Sequence, residues 1–267
     1  MALRSPNLNV MVNAAKKAAR SMVRDFGEVE QLQVSLKGPS DFVSAADVRA
    51  EKVLRAELGK ARPGWGFLGE EGGETPADEG ALGHRWIVDP IDGTTNFIHG
   101  MPHFAISIGL ERAGELIAGV IYNPITDELF FAEKGGGAFL NERRLRVAGR
   151  QRLDHAVIGT GIPHLGRGEH GPYLRELAHV MTHTAGIRRL GSAALDLAYV
   201  AAGRYDGFWE HGLKPWDVAA GILIIKEAGG FVADFEGKGD PLQTGNIVAA
   251  NEKLIGPLTD LIRKANA

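Results

Sequence analysis

Trp86-Ile87-Val88-Asp89-Pro90-Ile91-Asp92-Gly93-Thr94-Thr95-Asn96-Phe97 is the stretch on which the reading of the fold turns. A buried strand, Arg85 to Val88, ends by delivering Asp89 and Asp92 into a Pro/Gly turn that can aim both carboxylates at one ion. Gly93-Thr94-Thr95-Asn96 then offers backbone N–H groups and hydroxyls at a helix start, which suits an anion such as phosphate. An Asp-x-x-Asp pair can equally be plain structure, with Asp92 or Thr94 capping the helix and Asp89 closing the turn. Two more acidic positions shift that balance. Gly69-Glu70-Glu71 follows an earlier short strand, Trp65 to Leu68, although alone it reads as a solvated loop. Lys214-Pro215-Trp216-Asp217-Val218-Ala219-Ala220-Gly221 places an acid at the start of an apolar helix, where capping alone would explain it. Magnesium takes carboxylate and water oxygens and is commonly shared with substrate phosphate, so the acids make chemical sense as one set.

Working outward, the first helix is predicted from Leu8 to Phe26, where Leu8, Val12, Ala15, Ala19, Met22 and Phe26 recur at helical spacing. Leu36-Lys37-Gly38-Pro39-Ser40 is a turn signal, and Ser44-x-x-Asp47 resembles a capping box opening a second helix that ends near Gly59. Gly72 to Gly83 reads as a surface loop. Segments 106–110, 119–122 and 128–132 are β-rich and predict an antiparallel sheet. Beyond them, strands at 157–159, 186–190, 207–209 and 230–233 alternate with helices at 173–181, 192–202 and 216–228. The expected organisation is an α+β half, residues 1–148, and an α/β half, residues 149–267, without a linker.

Composition narrows the chemistry. With no cysteine among 267 residues, any metal must sit on oxygen or imidazole ligands, which makes hard cations the default. A net charge of −3 with no basic block gives no footprint for nucleic acid or anionic lipid, so a small substrate is expected and direct nucleic-acid binding is disfavoured. No apolar run reaches the roughly 20 residues of a membrane span. Lys16 and Lys17 interrupt the N-terminal candidate for a signal peptide, so the expected location is cytoplasmic.

Asp-Pro-Ile-Asp-Gly-Thr-Thr-Asn at 89–96, preceded by Gly-Glu-Glu and followed by Pro-Trp-Asp-Val-Ala-Ala-Gly at 215–221, resembles the inositol monophosphatase family, closest to its bacterial branch of extragenic-suppressor type. Lys37-Gly38, Asp41 to Asp47, Gly191 to Tyr199 and Thr244 to Ala249 fall in the expected order, so the likeness covers nearly the whole chain. It implies a layered αβαβα sandwich of the sugar phosphatase type, usually homodimeric, that uses magnesium, with manganese an alternative and two to three ions bound. By the same resemblance, Glu70, Asp89 and the carbonyl of Ile91 hold a first ion, and Asp89, Asp92 and Asp217 a second. A third, weaker ion sits near Glu70. Gly93, Thr94 and Thr95 match the phosphate-binding turn, Asp47 the acid orienting the Thr94 hydroxyl, and Ala193 with Glu210 the positions that contact inositol hydroxyls. The implied activity is hydrolysis of myo-inositol monophosphates. Fructose 1,6-bisphosphate, histidinol phosphate and adenosine 3′,5′-bisphosphate are the alternative substrates within this framework. A role of another class, contact with proteins of the transcription machinery, is also implied for close bacterial relatives, and Arg188-Arg189 is its only suggestive feature here.

Other signals are discounted. His99, His103, His164, His170, His179 and His183 lack a tight metal-binding spacing and read as surface or packing residues. Glu133-Lys134-Gly135-Gly136-Gly137-Ala138 reads as a hairpin connection and lacks a nucleotide-loop pattern. Ser192 has no nucleophile-elbow context, and helix capping suffices for it.

Overall fold

The computed structural model describes residues 4–27, 34–38, 41–164, 168–237 and 239–266, with the side chains of 34–38 and 41–44 outside the described set. The turn expected at Pro39 and Ser40 and the Ser44 side chain of the expected capping box therefore lie outside the described residues.

Helix α1 (Pro6–Phe26) opens on Ser5, whose Oγ accepts from Leu8 N, with Pro6 in the first turn where its missing N–H is harmless. Strands β1 (Val34–Gly38) and β2 (Asp41–Ser44) pair antiparallel before α2 (Ala45–Ala61). The large sheet then begins with β3 (Gly66–Gly69), β4 (Gly73–Thr75) and β5 (His84–Asp92), and helix α3 (Thr94–Ile98) follows. It continues through β6 (Ala105–Arg112), β7 (Glu115–Asn123), β8 (Glu128–Glu133), β9 (Gly137–Leu140) and β10 (Arg143–Arg144). The remainder alternates: β11 (Val157–Thr160), α4 (His170–His183), β12 (Gly186–Arg188), α5 (Ala193–Ala201), β13 (Gly207–Glu210) and α6 (Pro215–Glu227). It closes with β14 (Phe231–Ala233), α7 (Pro241–Thr244), β15 (Ile247–Ala250) and α8 (Ile255–Ala265).

The first sheet runs β10-β9-β8-β7-β6-β5-β3-β4 and is antiparallel except where β3 lies parallel to β5. The second runs β12-β11-β13-β15-β14, its first three strands parallel and its last two joined antiparallel. Period-two alternation sorts the large sheet's side chains onto two faces. Trp86, Val88, Ile106, Ile108, Val120 and Phe131 pack against α1 and α2, while Ile87, Ile121 and Phe130 pack against α5 and α6. Each such buried side chain contributes about 1.5–3 kcal/mol of transfer free energy. The other face of α5 and α6 meets Phe208, Ile247 and Ala249, and the outer face of the second sheet meets α4 and α8 through Tyr173, Val180, Leu258 and Ile262. The layers are thus α, β, α, β, α, the expected sandwich.

Helix α6 is buried without interruption from Val218 to Ile225, as a helix held between two sheets must be. Two glycines let it approach. A Cβ at Gly109 would lie 2.8 Å from the Ala219 Cβ, and one at Gly119 would lie 2.8 Å from the Ala220 carbonyl oxygen. This close seat brings the start of α6 against the end of β5.

Several elements differ from the sequence expectation. The loop expected over 72–83 contains the exposed edge strand β4 and a 3₁₀ turn, Glu79–Ala81. The signal at 36–38 belongs to β1, and β5 does not stop at Val88 but runs on to Asp92.

Candidate metal and phosphate site

In a regular strand, residues three apart face opposite sides of the sheet, so Asp89 and Asp92 should diverge. They converge because of a β-bulge. Asp89 pairs with Ser107 and Asp92 with Ala105, three steps on β5 against two on β6. The extra residue resets the alternation and turns both carboxylates toward α6. Ser107, directly opposite Asp89, donates to the Trp216 carbonyl oxygen at 3.1 Å and so fixes Asp217 beside the bulge. Asp89, Asp92 and Asp217 are all buried, and one ligand oxygen from each lies within 4.8 Å of the others.

Each acid also has a local anchor. Asp89 Oδ1 accepts from Ile91 N at 2.9 Å, and Asp217 Oδ2 from Lys214 N at 2.8 Å, so the expected helix cap and the cluster are the same residue. Asp92 Oδ2 accepts from Ala194 N at 2.8 Å in the first turn of α5 and from the Ser192 hydroxyl. Ser192 caps α5, as read from the sequence, and also touches the acid cluster, which that reading missed. Glu70 sits just past β3, with its N–H donating to the Val88 carbonyl at 3.2 Å. Its connector is held by the buried Glu51, which accepts from Glu71 N and Gly72 N, both at 2.7 Å.

Gly93 holds φ at 95°, a left-handed value that glycine adopts without penalty, and places Thr94 and Thr95 at the start of α3. The Thr94 Oγ1 stands 3.0 Å from Asp47 Oδ1 and 3.0 Å from the Ile91 carbonyl oxygen, so its one proton serves either acceptor. Asn96 Nδ2 donates to the carbonyls of His103 at 2.7 Å and Leu190 at 2.8 Å, tying α3 to the segment that leads into α5.

A cavity of 840 Å³ is lined by Glu70, Asp89, Ile91, Asp92 and Asp217 together with Gly93, Thr94, Thr95, Ala193 and Glu210. Asp47 is fully buried behind Thr94. Glu210 lies over Gly161, where a Cβ would fall 1.9 Å from the glutamate Cδ, so the missing side chain is the seat of that carboxylate. Glu51, Gly161, Ser192 and the cavity residue His211 carry no local sequence signal for these roles, because their partners come from distant segments.

Burial pushes the Asp89 carboxyl well above the usual carboxylate range, and the charges of Glu70, Asp92 and Asp217 push it further the same way. Acids so crowded and so dry are stable only with protons or a cation among them. An all-oxygen donor set, with neither sulfur nor imidazole in the cluster, fits a hard dication.

Clustered acids that call for a dication, set beside backbone amides suited to a phosphate, define a metal-dependent phosphatase. The model of the inositol monophosphatase family matches residues 4–266, and the chain belongs to that family. It is 64% identical over 261 residues to an inositol-1-monophosphatase of Rhizobium meliloti (strain 1021), covering 98% of this chain and 97% of the relative. A crystal structure of extragenic suppressor protein suhB from Bartonella henselae matches with a TM-score of 0.94 at 60% identity, covering 97% of this chain and 99% of that one. A Nus factor SuhB of Pseudomonas aeruginosa is 45% identical over 260 residues, covering 97% of this chain and 96% of the relative. Among the described residues no helix is long and apolar enough to cross a membrane.

Proposed function

We propose that the protein hydrolyses myo-inositol monophosphates to inositol and phosphate in a magnesium-dependent reaction. The observation that carries this reading is the buried Asp89, Asp92 and Asp217 cluster sharing one cavity with the Gly93 to Thr95 turn and Glu210. In it, Glu70, Asp89 and the Ile91 carbonyl hold one ion, and Asp89, Asp92 and Asp217 a second, with manganese as a substitute. Residues 1–148 then supply most ligands and residues 149–267 supply Asp217 and the polyol contacts.

Phosphate monoesters are among the slowest esters to hydrolyse in water, so the site must lower the barrier by up to ~28 kcal/mol, mainly through charge and position. Bound dications supply the positive charge that the phosphoryl oxygens and the departing alkoxide require, and they acidify water. The chain's own groups do the positioning. Thr94, its proton engaged by Asp47 or by Ile91, presents its oxygen to the attacking water, and Glu70 borders the same space. The N–H groups of Gly93, Thr94 and Thr95 receive the equatorial phosphoryl oxygens. No covalent phosphoenzyme is required, and the nearby Ser192 hydroxyl is already engaged with Asp92 and Leu195 N.

Glu210 and Ala193 are read as contacts for inositol hydroxyls, and Gly161 tests this. Gly161→Ala should turn the flexible glutamate out of its seat with little change in melting temperature. Loss of a hydrogen bond to a charged group should then raise KM for inositol 1-phosphate about 10-fold or more in steady-state assays. The reading as a whole is tested by phosphate release from inositol 1-phosphate, fructose 1,6-bisphosphate, histidinol phosphate and adenosine 3′,5′-bisphosphate. The largest kcat/KM is expected for inositol 1-phosphate, and a larger value for fructose 1,6-bisphosphate would overturn the assignment.

A further inference from the structure

Beyond Glu210 the cavity reaches His211, whose surroundings are not those of an ordinary surface histidine. Its Nε2 lies 2.7 Å from Oε2 of Glu176, a residue of α4 that is completely buried. The same oxygen accepts from Trp209 Nε1 at 3.2 Å, and Oε1 accepts from the side-chain amide of Asn266, beyond α8. Arg175 fixes Asn266 in turn, donating to its Oδ1 at 3.1 Å. Phe235 meets the imidazole edge to face, with centroids 4.3 Å apart and planes at 77°.

A carboxylate only accepts, so Nε2 of His211 carries a hydrogen, and this network assigns the tautomer. Nδ1 is then the remaining polar atom of a side chain that is 31% exposed and borders the cavity. A buried carboxylate is costly, and one indole N–H could be satisfied by a neutral acceptor. Donors from β13, from the turn after it and from the chain's end, gathered on one carboxylate, are what holding a ring in one orientation requires.

We infer that His211 is a specificity-determining residue that binds a hydroxyl of the substrate's alcohol portion through Nδ1, and that Glu176 is the positioning residue acting through it. This inference rests on the polyol reading of the site. A hydroxyl is the matching chemistry for both forms of the ring. Nδ1 of the neutral ring accepts from it, and Nδ1–H of the protonated ring donates to it. The Glu210 carboxylate lines the same cavity, and a carboxylate likewise accepts from a hydroxyl. A leaving group rich in hydroxyls satisfies both residues, whereas a bare aromatic alcohol satisfies neither.

The test is steady-state kinetics with magnesium on inositol 1-phosphate and on p-nitrophenyl phosphate, whose leaving group has no further hydroxyl. His211→Ala should raise KM for inositol 1-phosphate by about 3- to 10-fold with kcat unchanged, and should leave both constants for p-nitrophenyl phosphate unaltered. His211→Asn, which keeps a polar atom near the place of Nδ1, should recover part of the loss. Glu176→Gln should reproduce the His211→Ala pattern, and if that buried change prevents folding the half-exposed histidine variants decide. An unchanged KM in His211→Ala, or equal effects on the two substrates, overturns the inference. Wild-type protein that hydrolyses p-nitrophenyl phosphate but not inositol 1-phosphate overturns the polyol reading itself, which is a separate result.

Discussion

Asp92→Asn should lower kcat for inositol 1-phosphate by about 100- to 1000-fold and raise the magnesium needed for half-maximal rate by about 10- to 100-fold. The substitution is nearly isosteric and keeps one carbonyl oxygen. That oxygen can still accept from Ala194 N and from the Ser192 hydroxyl, the two donors that hold Asp92 Oδ2 against the start of α5. The amide nitrogen must then take the other position, turning N–H donors toward Asp89 and Asp217, which lie within 4.8 Å. A dication needs acceptors there, so the loss falls on ion binding and on every charge the ion would have neutralised. The metal-free variant should be no less stable than the wild type, because one of several mutually repelling buried charges has gone. Initial rates measured across a magnesium titration, with melts of both metal-free proteins, separate this from simple unfolding. Wild-type turnover at low magnesium in the variant would end the proposed ligand scheme.

The parts of the fold legible in the sequence were those set by local periodicity. Alternation in β6 to β8 and helical spacing in α1 are properties of contiguous residues, and each forces one face into the core. The acids were legible because Asp89, Asp92 and their threonines occupy one short run. The bulge was not, since it exists only in the register between β5 and β6, and two strands have to be paired before it can be seen. Long-range partners were hidden for the same reason. Glu51, Gly161, Glu176 and His211 carry no local pattern that marks them, because their partners lie far along the chain. The edge strand β10 has only two residues, and β9 beside it lacks an alternating burial pattern. Helix α8 carries its signal in Leu258 and Ile262, buried four residues apart on one face. The layered αβαβα arrangement itself came from the resemblance to a family, since no local pattern dictates which helices lie between two sheets.

Magnesium added to the metal-free protein should raise its melting temperature, and the increment should grow as pH rises. The sign follows from Asp89, whose carboxyl is held well above the usual range by burial and by Glu70, Asp92 and Asp217. Asp196, raised by burial and by Glu210 and Asp92, acts in the same sense. A carboxyl with a raised folded value keeps its proton at pH values where the unfolded chain, with carboxyls near about 4, has already lost it. Between those two values the folded state binds more protons, so stability falls as pH increases. The contribution of these groups is therefore fully present below the unfolded value and is lost as pH climbs through the folded one, the reverse of an ion-paired aspartate. A dication binds the ionised cluster and competes with the proton, so it removes most of the penalty at Asp89 where that penalty is largest. At a magnesium concentration of about 100 times its dissociation constant, mass action adds about 2.7 kcal/mol. For a chain of this size that corresponds to a shift of about 5–10 °C. Thermal melts with magnesium or EDTA at about pH 5, 6.5 and 8 read the effect directly, using the ordinary carboxylate value as the lower reference. Curves indifferent to EDTA at every pH would mean that the three aspartates do not form a dication site and that protons alone neutralise the cluster.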